Sequence, residues 1–589
     1  MKWLLMWYKF IFFILLFMEF LQAKPPILPS HDIQIQGDKY FSKKVLYPVL
    51  NVDTKSIFEF WKKKRPRIND KLIPTLNETL ESFYDSEGFY DATFNITQAD
   101  STVDIKIDAK KPVKVTSINV HSDYAIKKFI RLKKGDIFRA QDFIDTKNAI
   151  ITSLLSQGFC SYQLDTKAYI DLKKHQAVLK YTLQKGGICT FGDPYIKGLK
   201  SIDEKVILSR VRAKKGERFD PKKVKETYAD IYDLNSFDSV QVNVNRKFYN
   251  EVPVDIILSE VKDAYHFEVG AGYDTYIGPR VHVSLVKKNF NGNAQQTGIK
   301  LSWSKKEQLA IGEFYKPALF FMFGYGIDFG THFGYSNLEY PGFKEKKGFG
   351  KFFLEHNEGR LQLKAGLALE NIDITKEDNL KKGENILQAI KEGTFLLFYP
   401  YLDMVYDARD DKLNPKFGYY LASSLEYGLD YKPGATSYIK AYLEGRFIYT
   451  FDKLTLATVG KAGVIDQKTN QLPESKLFFS GGSFSNRAYG FNTIGVIESP
   501  TTDSINGATS MLNLSLEADY PMWDKIYGAL FTDNTMLNEE KYDFSGDVIS
   551  SAGVGIRYLT PIGPFKLDVG FNVNKPSQYG ISFQIGQSF

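Results

Sequence analysis

The chain ends Tyr579-Gly580-Ile581-Ser582-Phe583-Gln584-Ile585-Gly586-Gln587-Ser588-Phe589, and this stretch decides the fold. Side chains of a β-strand alternate between its two faces. Tyr579, Ile581, Phe583, Ile585 and Phe589 therefore share an oily face, and Gly580, Ser582, Gln584, Gly586 and Ser588 share a small, polar one. Only Gln587 breaks the oily row. A strand of this length spans roughly 37 Å, which a ~45° tilt reduces to roughly 26 Å. That matches the ~25 Å apolar band of an outer-membrane barrel.

The same two-faced pattern fills residues 264–589. In Met511–Tyr520, Leu512, Leu514, Leu516, Ala518 and Tyr520 oppose Asn513, Ser515, Glu517 and Asp519. In Phe565–Asn574, Phe565, Leu567, Val569, Phe571 and Val573 oppose Lys566, Asp568, Gly570, Asn572 and Asn574. Similar splits occur around Val269, in Leu421–Tyr427 and in Ile439–Tyr449. Charges on the second face are costly against lipid but tolerable in a wet lumen. At about 20 residues per strand and connection, the segment predicts an all-β transmembrane barrel of about 16 antiparallel strands. A large soluble β-sandwich is the competing reading; soluble sheets seldom keep such long two-faced strands up to the C-terminus.

Composition agrees. Hydrophobic residues make up an ordinary 43% of the chain, yet it carries 46 Phe, 36 Tyr and 45 Gly. Aromatic and glycine enrichment at a mean hydropathy of −0.27 suits a barrel with a polar interior. The net charge of +7 comes from dispersed lysines. No dense basic stripe supports nucleic-acid binding.

Residues 1–23 read as a signal peptide. Lys2 and Lys9 precede or open an apolar run, Phe10–Phe20, broken only by Glu19, and Leu21-Gln22-Ala23 offers a small-residue cleavage site. An uncleaved anchor helix is the alternative. No later window approaches the ~18 apolar residues of a spanning helix. In an exported chain Cys160 and Cys189 either pair, closing a loop worth roughly 3 kcal/mol, or remain two buried thiols. They form no CxxC or metal motif.

Before Asp263 the pattern changes to a weak α+β repeat. A helix ends at a small residue followed by Phe and a new strand: Gly88-Phe89, Gly158-Phe159 and Ser236-Phe237, spaced 70 and 78 residues apart. Gly158 stands where a left-handed helix cap is expected. Each unit reads strand, helix, helix, strand, strand. The expected boundaries are 24–111, 112–186 and 187–263.

Three clusters in the barrel segment exceed strand periodicity. Gly270-Ala271-Gly272-Tyr273-Asp274-Thr275-Tyr276-Ile277-Gly278-Pro279-Arg280 reads as a hairpin. Asp407-Ala408-Arg409-Asp410-Asp411 with Asn414-Pro415-Lys416-Phe417-Gly418 reads as a charged turn. Gly481-Gly482-Ser483-Phe484-Ser485-Asn486-Arg487-Ala488-Tyr489-Gly490-Phe491 places an arginine in a long loop. Glu517 and Asp533 are candidate inward partners that would hold Arg487 by charge-assisted hydrogen bonds and pin the loop inside the lumen.

On these residues, together with Arg557–Pro564 (R-x-x-x-P-I-G-P) and the terminal Phe589, the chain resembles the BamA/TamA superfamily of outer-membrane assembly proteins. The three α+β units resemble its periplasmic polypeptide-transport-associated (POTRA) domains. Three such units and this length are similar to the TamA branch. The family's loop motif is V/I-R-G-F/Y; here Asn486-Arg487-Ala488-Tyr489 has Ala for Gly. A glycine at positive φ would not become alanine without strain, so Gly490 is expected to take the bend.

The resemblance implies an insertase working in the outer membrane, with the POTRA units in the periplasm. Its clients would be unfolded outer-membrane proteins such as autotransporters. It implies contact with outer-membrane lipid and a TamB-like, inner-membrane-anchored partner docking on the first unit. A secretion conduit and lipid transport with the TamB-like partner are the alternatives. A lateral seam is expected between the first and last strands, with Val269, Gly270 and Gly272 facing Gly580, Phe583 and Gly586; glycines weaken strands locally. Tyr579, Phe583 and Phe589 would form the C-terminal assembly signal. No catalytic residue, metal site or cofactor is expected: the seven histidines form no H-E-x-x-H, and no phosphate-binding G-x-x-x-x-G-K-S/T occurs.

Overall fold

The computed structural model describes residues 29–54, 65–99, 101–245, 250–274, 278–376, 390–431, 435–468, 472–496, 506–523, 525–560 and 563–585. The signal-peptide reading, Gly586 and Phe589 lie outside these residues.

Three small α+β sheets precede the barrel. The first holds β1 (Ser30–Gln36), α1 (Lys43–Val49), β2 (Arg67–Asn69), α2 (Leu76–Ser86), β3 (Thr93–Gln98) and β4 (Thr102–Asp108), in strand order β2-β1-β4-β3. The second holds β5 (Lys114–Ser122), α3 (Ala140–Ser156), β6 (Gln163–Asp171) and β7 (Gln176–Gln184), in order β5-β7-β6. The third holds β8 (Thr190–Lys197), α4 (Glu204–Leu208), α5 (Pro221–Tyr232), β9 (Phe237–Val244) and β10 (Glu251–Glu260), in order β8-β10-β9. β1 runs parallel to β4, and β5 parallel to β7. Parallel neighbours need a crossover, which the helices supply.

Each helix buries one stripe. Leu76, Leu80 and Tyr84 of α2 meet Ile33, Ile35, Val103, Ile105 and Ile107. Ile150 and Leu154 of α3 meet Ala177, Leu179, Tyr181 and Leu183. The repeat mark is a helix stop. Gly88 and Gly158 take φ of 91° and 80°, and Asn235, one residue before the expected Ser236, takes 51°. Phe89 and Phe159 then donate their N–H groups to Tyr84 and Leu154, closing Schellman-type caps. The second unit departs from the expected helix pair. Its first helical piece is only a 3₁₀ turn, Lys127–Phe129, because so short a stretch cannot recover the cost of nucleating an α-helix.

The chain forms two compact units. One contains residues 1–192, 215–221 and 245–253; the other contains 193–214, 222–244 and 254–589. Within the first, Cys160 and Cys189 are bridged, with Cα atoms 5.9 Å apart. Around the bridge, Cys189 N–H donates to Gly158 O and Phe219 N–H donates to Cys189 O, both at 2.9 Å.

Within the second unit a 16-stranded antiparallel sheet runs in sequence order. Its strands are β11 (Tyr265–Asp274), β12 (Gly278–Lys287), β13 (Gln296–Ser304), β14 (Glu307–Met322), β15 (Tyr325–Tyr340), β16 (Phe343–Glu358), β17 (Leu361–Lys376) and β18 (Gly393–Asp407). There follow β19 (Phe417–Gly428), β20 (Tyr438–Phe451), β21 (Leu454–Gln467), β22 (Ser510–Trp523), β23 (Ile526–Asn538), β24 (Ile549–Tyr558), β25 (Phe565–Asn572) and β26 (Tyr579–Ile585). β11 and β26, at the two ends of this order, come within 8 Å of each other. Alternation holds: Leu512, Leu514 and Leu516 are exposed outside, while Asn513, Glu517 and Asp519 are buried inside.

Segment 193–214 meets one end of the barrel. Arg210 of this segment donates to Asp328 Oδ2 at 2.6 Å and to the Tyr315 hydroxyl at 3.2 Å. Asp203 N–H donates to Asn293 Oδ1 at 2.7 Å. Glu260 secures the same segment by accepting from the N–H groups of Lys200 and Ser201 and from the Ser201 hydroxyl. Burial alone would raise its pKa, but these bonds outweigh it and hold the carboxyl below the usual range. A lowered carboxyl contributes stability above its unfolded pKa and loses it as pH falls through the folded value.

Replacing both Cys160 and Cys189 by Ser is expected to lower the stability of the N-terminal unit by roughly 3 kcal/mol. Urea unfolding of that unit, read by protease sensitivity, checks this; the heat-modifiable migration of the barrel should be unchanged.

Candidate functional site

Residues 472–496, between β21 and β22, fold into the barrel instead of leaving it. Arg487 lies among them, 6% exposed. Its Nε and Nη2 donate to Asp533 Oδ2 and Oδ1, each at 2.9 Å, a bidentate pair. Its backbone N–H adds a third bond to Asp533 at 3.0 Å. Nη1 donates to Glu517 Oε2 at 2.5 Å and lies 3.6 Å from Asp568. The guanidinium sits 3.4 Å from the Phe531 ring centroid. Arg557 completes the cluster from β24, donating to Glu517 at 2.8 Å and to Asp568 at 2.5 Å. Arg487 therefore meets both carboxylates proposed from the sequence and also Asp568. The inward face of Phe565–Asn574 announced Asp568; the pairing with Arg557 had no sequence signal of its own.

Ala488 is fully buried and is not among the described residues with positive φ. The position therefore accepts a Cβ without backbone strain, because the backbone here does not take the left-handed conformation for which the family's glycine would be needed. Gly490 does not take the left-handed bend either. Gly481, Gly482 and Asn492 do, with φ of 103°, 96° and 54°. Tyr489 accepts a hydrogen bond at its hydroxyl from Asn572 Nδ2, and Asn486 Nδ2 donates to Ile549 O at 3.0 Å.

The loop also leans on the last two strands. Gly570 and Gly580 are cross-strand partners. A Cβ on Gly580 would stand 2.5 Å from Arg487 O and 3.0 Å from Ala488 C, and one on Gly570 would stand 2.8 Å from Arg487 C. Gln578 Nε2 donates to Ala488 O at 3.2 Å. Gly580 is thus a seat for the loop backbone, a closer constraint than strand weakening. Gly270 pairs with His282, whose ring occupies the space a Cβ would need. Gly272 pairs with Arg280, Val269 is exposed on the outer face, Phe583 is half-buried and Tyr579 pairs with Phe571.

A second anchor was missed by sequence reasoning. Lys476, in the same loop, is held 3.0 Å from Glu370 of β17, 3.1 Å from Glu426 of β19 and 3.0 Å from the Tyr399 hydroxyl of β18. Tyr399 donates to Glu370 at 2.7 Å, Tyr438 donates to Glu426 at 3.0 Å, and Lys440 Nζ donates to Lys476 O at 2.7 Å. The run Glu474-Ser475-Lys476 reads as ordinary polar loop, so only its surroundings reveal the role. The D-x-R-D turn, in contrast, is local: Arg409 grips Asp407 at 2.9 and 2.8 Å. Among the described residues no group of three His, Cys, Asp or Glu side chains is arranged to hold a metal.

The profile of the Omp85 superfamily domain matches residues 289–589, just over half of the chain. The chain belongs to the Omp85 superfamily. The POTRA profile, described as a surface antigen variable number repeat, matches residues 30–111 and 110–186. Similar proteins include the outer membrane protein assembly factor BamA of Neisseria meningitidis, 20% identical, with 95% of this chain aligned to 78% of that one. BamA of Nitratidesulfovibrio vulgaris is 19% identical over 92% of this chain and 70% of its own length. Among solved structures, BamA from Haemophilus ducreyi lacking POTRA domains 1–3 has a TM-score of 0.54 at 15% identity, covering 80% of this chain and 99% of that chain. This Omp85 protein is an outer-membrane barrel whose POTRA units lie in the periplasm. The end of the barrel that meets residues 193–214 is therefore periplasmic, and the lumenal loop enters from the opposite, extracellular end.

Removing one member of a buried, hydrogen-bonded ion cluster costs about 3–5 kcal/mol, because it leaves uncompensated charge. Arg487→Ala and Lys476→Met are each expected to free the 468–509 loop to extracellular protease, whereas Lys440→Met should have a smaller effect. Gly580→Val is expected to displace the loop with every charge intact, read by the same cleavage assay.

Proposed function

We propose that this Omp85 protein is an insertase of the TamA type, which helps β-barrel clients such as autotransporters to insert or translocate. It does so by lateral opening between β11 and β26, without covalent chemistry. The observation that carries the reading is the lumenal loop itself, tied to the wall at two points, by Lys476 and by Arg487. A lumen held closed in this way is a poor conduit and leaves the wall as the working surface.

The physical problem of a client is the edge of its growing sheet. Each unpaired backbone N–H or C=O in hydrocarbon costs several kcal/mol. A machine that exposes its own strand edges offers those groups temporary partners by β-augmentation. The last strand is suited to this because it leans on the loop through Gly580, beside Gly570 of β25 and Gln578 of the preceding turn, so movement of the loop and of the strand are coupled. The POTRA sheets would receive clients on their own edges, and the first unit would dock a TamB-like inner-membrane-anchored partner. Three POTRA units support the TamA type over the longer BamA type.

The test is a disulfide between Val269→Cys and Phe583→Cys, or a neighbouring in-register pair. The locked protein is expected to lose client assembly in cells and to regain it on reduction. Assembly that is indifferent to the lock would exclude lateral opening. Single-channel recording separates the conduit: a tied loop predicts low conductance that rises in Arg487→Ala.

A further inference from the structure

The turn between β14 and β15 carries an apolar run that strand alternation does not explain. Residues 319–325 are exposed one after another, and Phe323 at the tip is 91% exposed. On the barrel wall only alternate side chains face outward. Among the described residues the ladder from β13 ends at Tyr315, and the ladder from β16 reaches only Asp328. Beyond these points His356 of β16 still meets Tyr325 and Gly326, and residues 319–324 project past the paired neighbours.

A built kink sets its direction. The β14–β15 register shifts between Lys316 and Phe320, and Ala318 adopts φ 48°, costly for a residue with a Cβ. Ala318 N–H donates to Asp328 Oδ1 at 2.9 Å, and Asp328, fully buried, takes the Arg210 guanidinium on its other oxygen. Ser209 packs against Gly326, which has no room for a Cβ. The finger thus springs from the periplasmic end and is braced by Ser209 and Arg210 of the third POTRA unit, just after α4.

We propose that this hairpin is a membrane finger that inserts Leu319, Phe320, Phe321, Met322 and Phe323 at the headgroup–acyl boundary of the periplasmic leaflet. The outer face of the wall leads toward it, with Thr331 and Ile327 of the same face covered and Lys316 interrupting the apolar row at the kink. Phe333 and Tyr335 are exposed on that face, and ladder parity continues it through Phe320 and Met322. At the other end of the same hairpin the row turns polar, where Asn337 donates to Gln308. From Ala310 to Met322 the strand rises roughly 29 Å at a ~45° tilt, so a ~25 Å apolar band beginning at Ala310 ends within the finger. Lys316 sits at the kink, and Lys214 Nζ lies 4.5 Å from the ring centroid of Tyr325. Cations beside a shallow apolar wedge suit phosphate headgroups. In water, so large an exposed apolar tip would be an aggregation site. The inference does not depend on which client the barrel serves.

The experiment uses the full chain with Phe323→Cys labelled by an environment-sensitive fluorophore. The protein is reconstituted in phosphatidylethanolamine–phosphatidylglycerol vesicles, with the native disulfide intact. Lys173→Cys, in the exposed turn between β6 and β7, reports water, and Val281→Cys, on the lipid face of β12, reports hydrocarbon. The label at 323 is expected to be blue-shifted from that at 173 and quenched at least about twofold by shallow spin-labelled lipid, with weak iodide quenching, as an interfacial wedge requires. Iodide access equal to residue 173 with no lipid quenching would overturn the proposal. So would a blue shift that appears in detergent only with an unfolded barrel client, or one that disappears on dilution and so reports a second copy. If Phe323→Cys loses heat-modifiable migration, Phe321→Cys carries the same readout.

Discussion

A polypeptide in hydrocarbon has no water to satisfy its backbone, so every N–H and C=O must find a partner in the chain. This constraint shapes the C-terminal 326 residues. Sixteen antiparallel strands pair in sequence order, and the two end strands return to each other. Closure makes an outside and an inside, and the alternation of side chains gives lipid the leucines and aromatics while the polar residues turn inward. The inner face then needs partners of its own, because buried charges are expensive unless paired.

Much of that pairing is provided by one loop. Lys476 closes on Glu370, Glu426 and Tyr399 from strands β17 to β19, and Arg487 closes on Glu517, Asp533 and Asp568 from β22, β23 and β25. The two clusters fix the loop to two regions of wall. Such clusters are weak evidence for net stability, since apolar replacements of similar volume are often neutral. Their value lies in position: a bidentate guanidinium has one geometry. The loop backbone rests on Gly570 and Gly580, so the strand that borders the seam is shaped by the same interaction.

Much of this is legible in the sequence. Strand count, the alternation and the three α+β units follow from periodicity, which is a local property. Arg487 stood out because small and aromatic neighbours offer it no counter-ion, while Glu517 and Asp533 point inward from regular strands. Other features gained a role that only packing shows. Gly580 and Gly270 looked like soft points of a seam, yet one seats the loop and the other makes room for the His282 ring. Gly490 was expected to take the bend, yet Gly481, Gly482 and Asn492 take it. The second unit lost an expected helix to a 3₁₀ turn. Lys476 gave no sign at all, since its partners come from strands 50 to 106 residues away.

The sequence by itself determined the membrane barrel, its polarity and its repeat, because periods of two and of about four residues are written in consecutive side chains. Tertiary structure alone decided what each exceptional residue is for. Whether a glycine weakens a strand or admits a backbone depends on what packs against it. Whether a lysine is solvated or buried depends on carboxylates brought by other strands. The terminal strand shows both: its oily face is plain in eleven letters, while the role of Gly580 appears only when Arg487 lies across it.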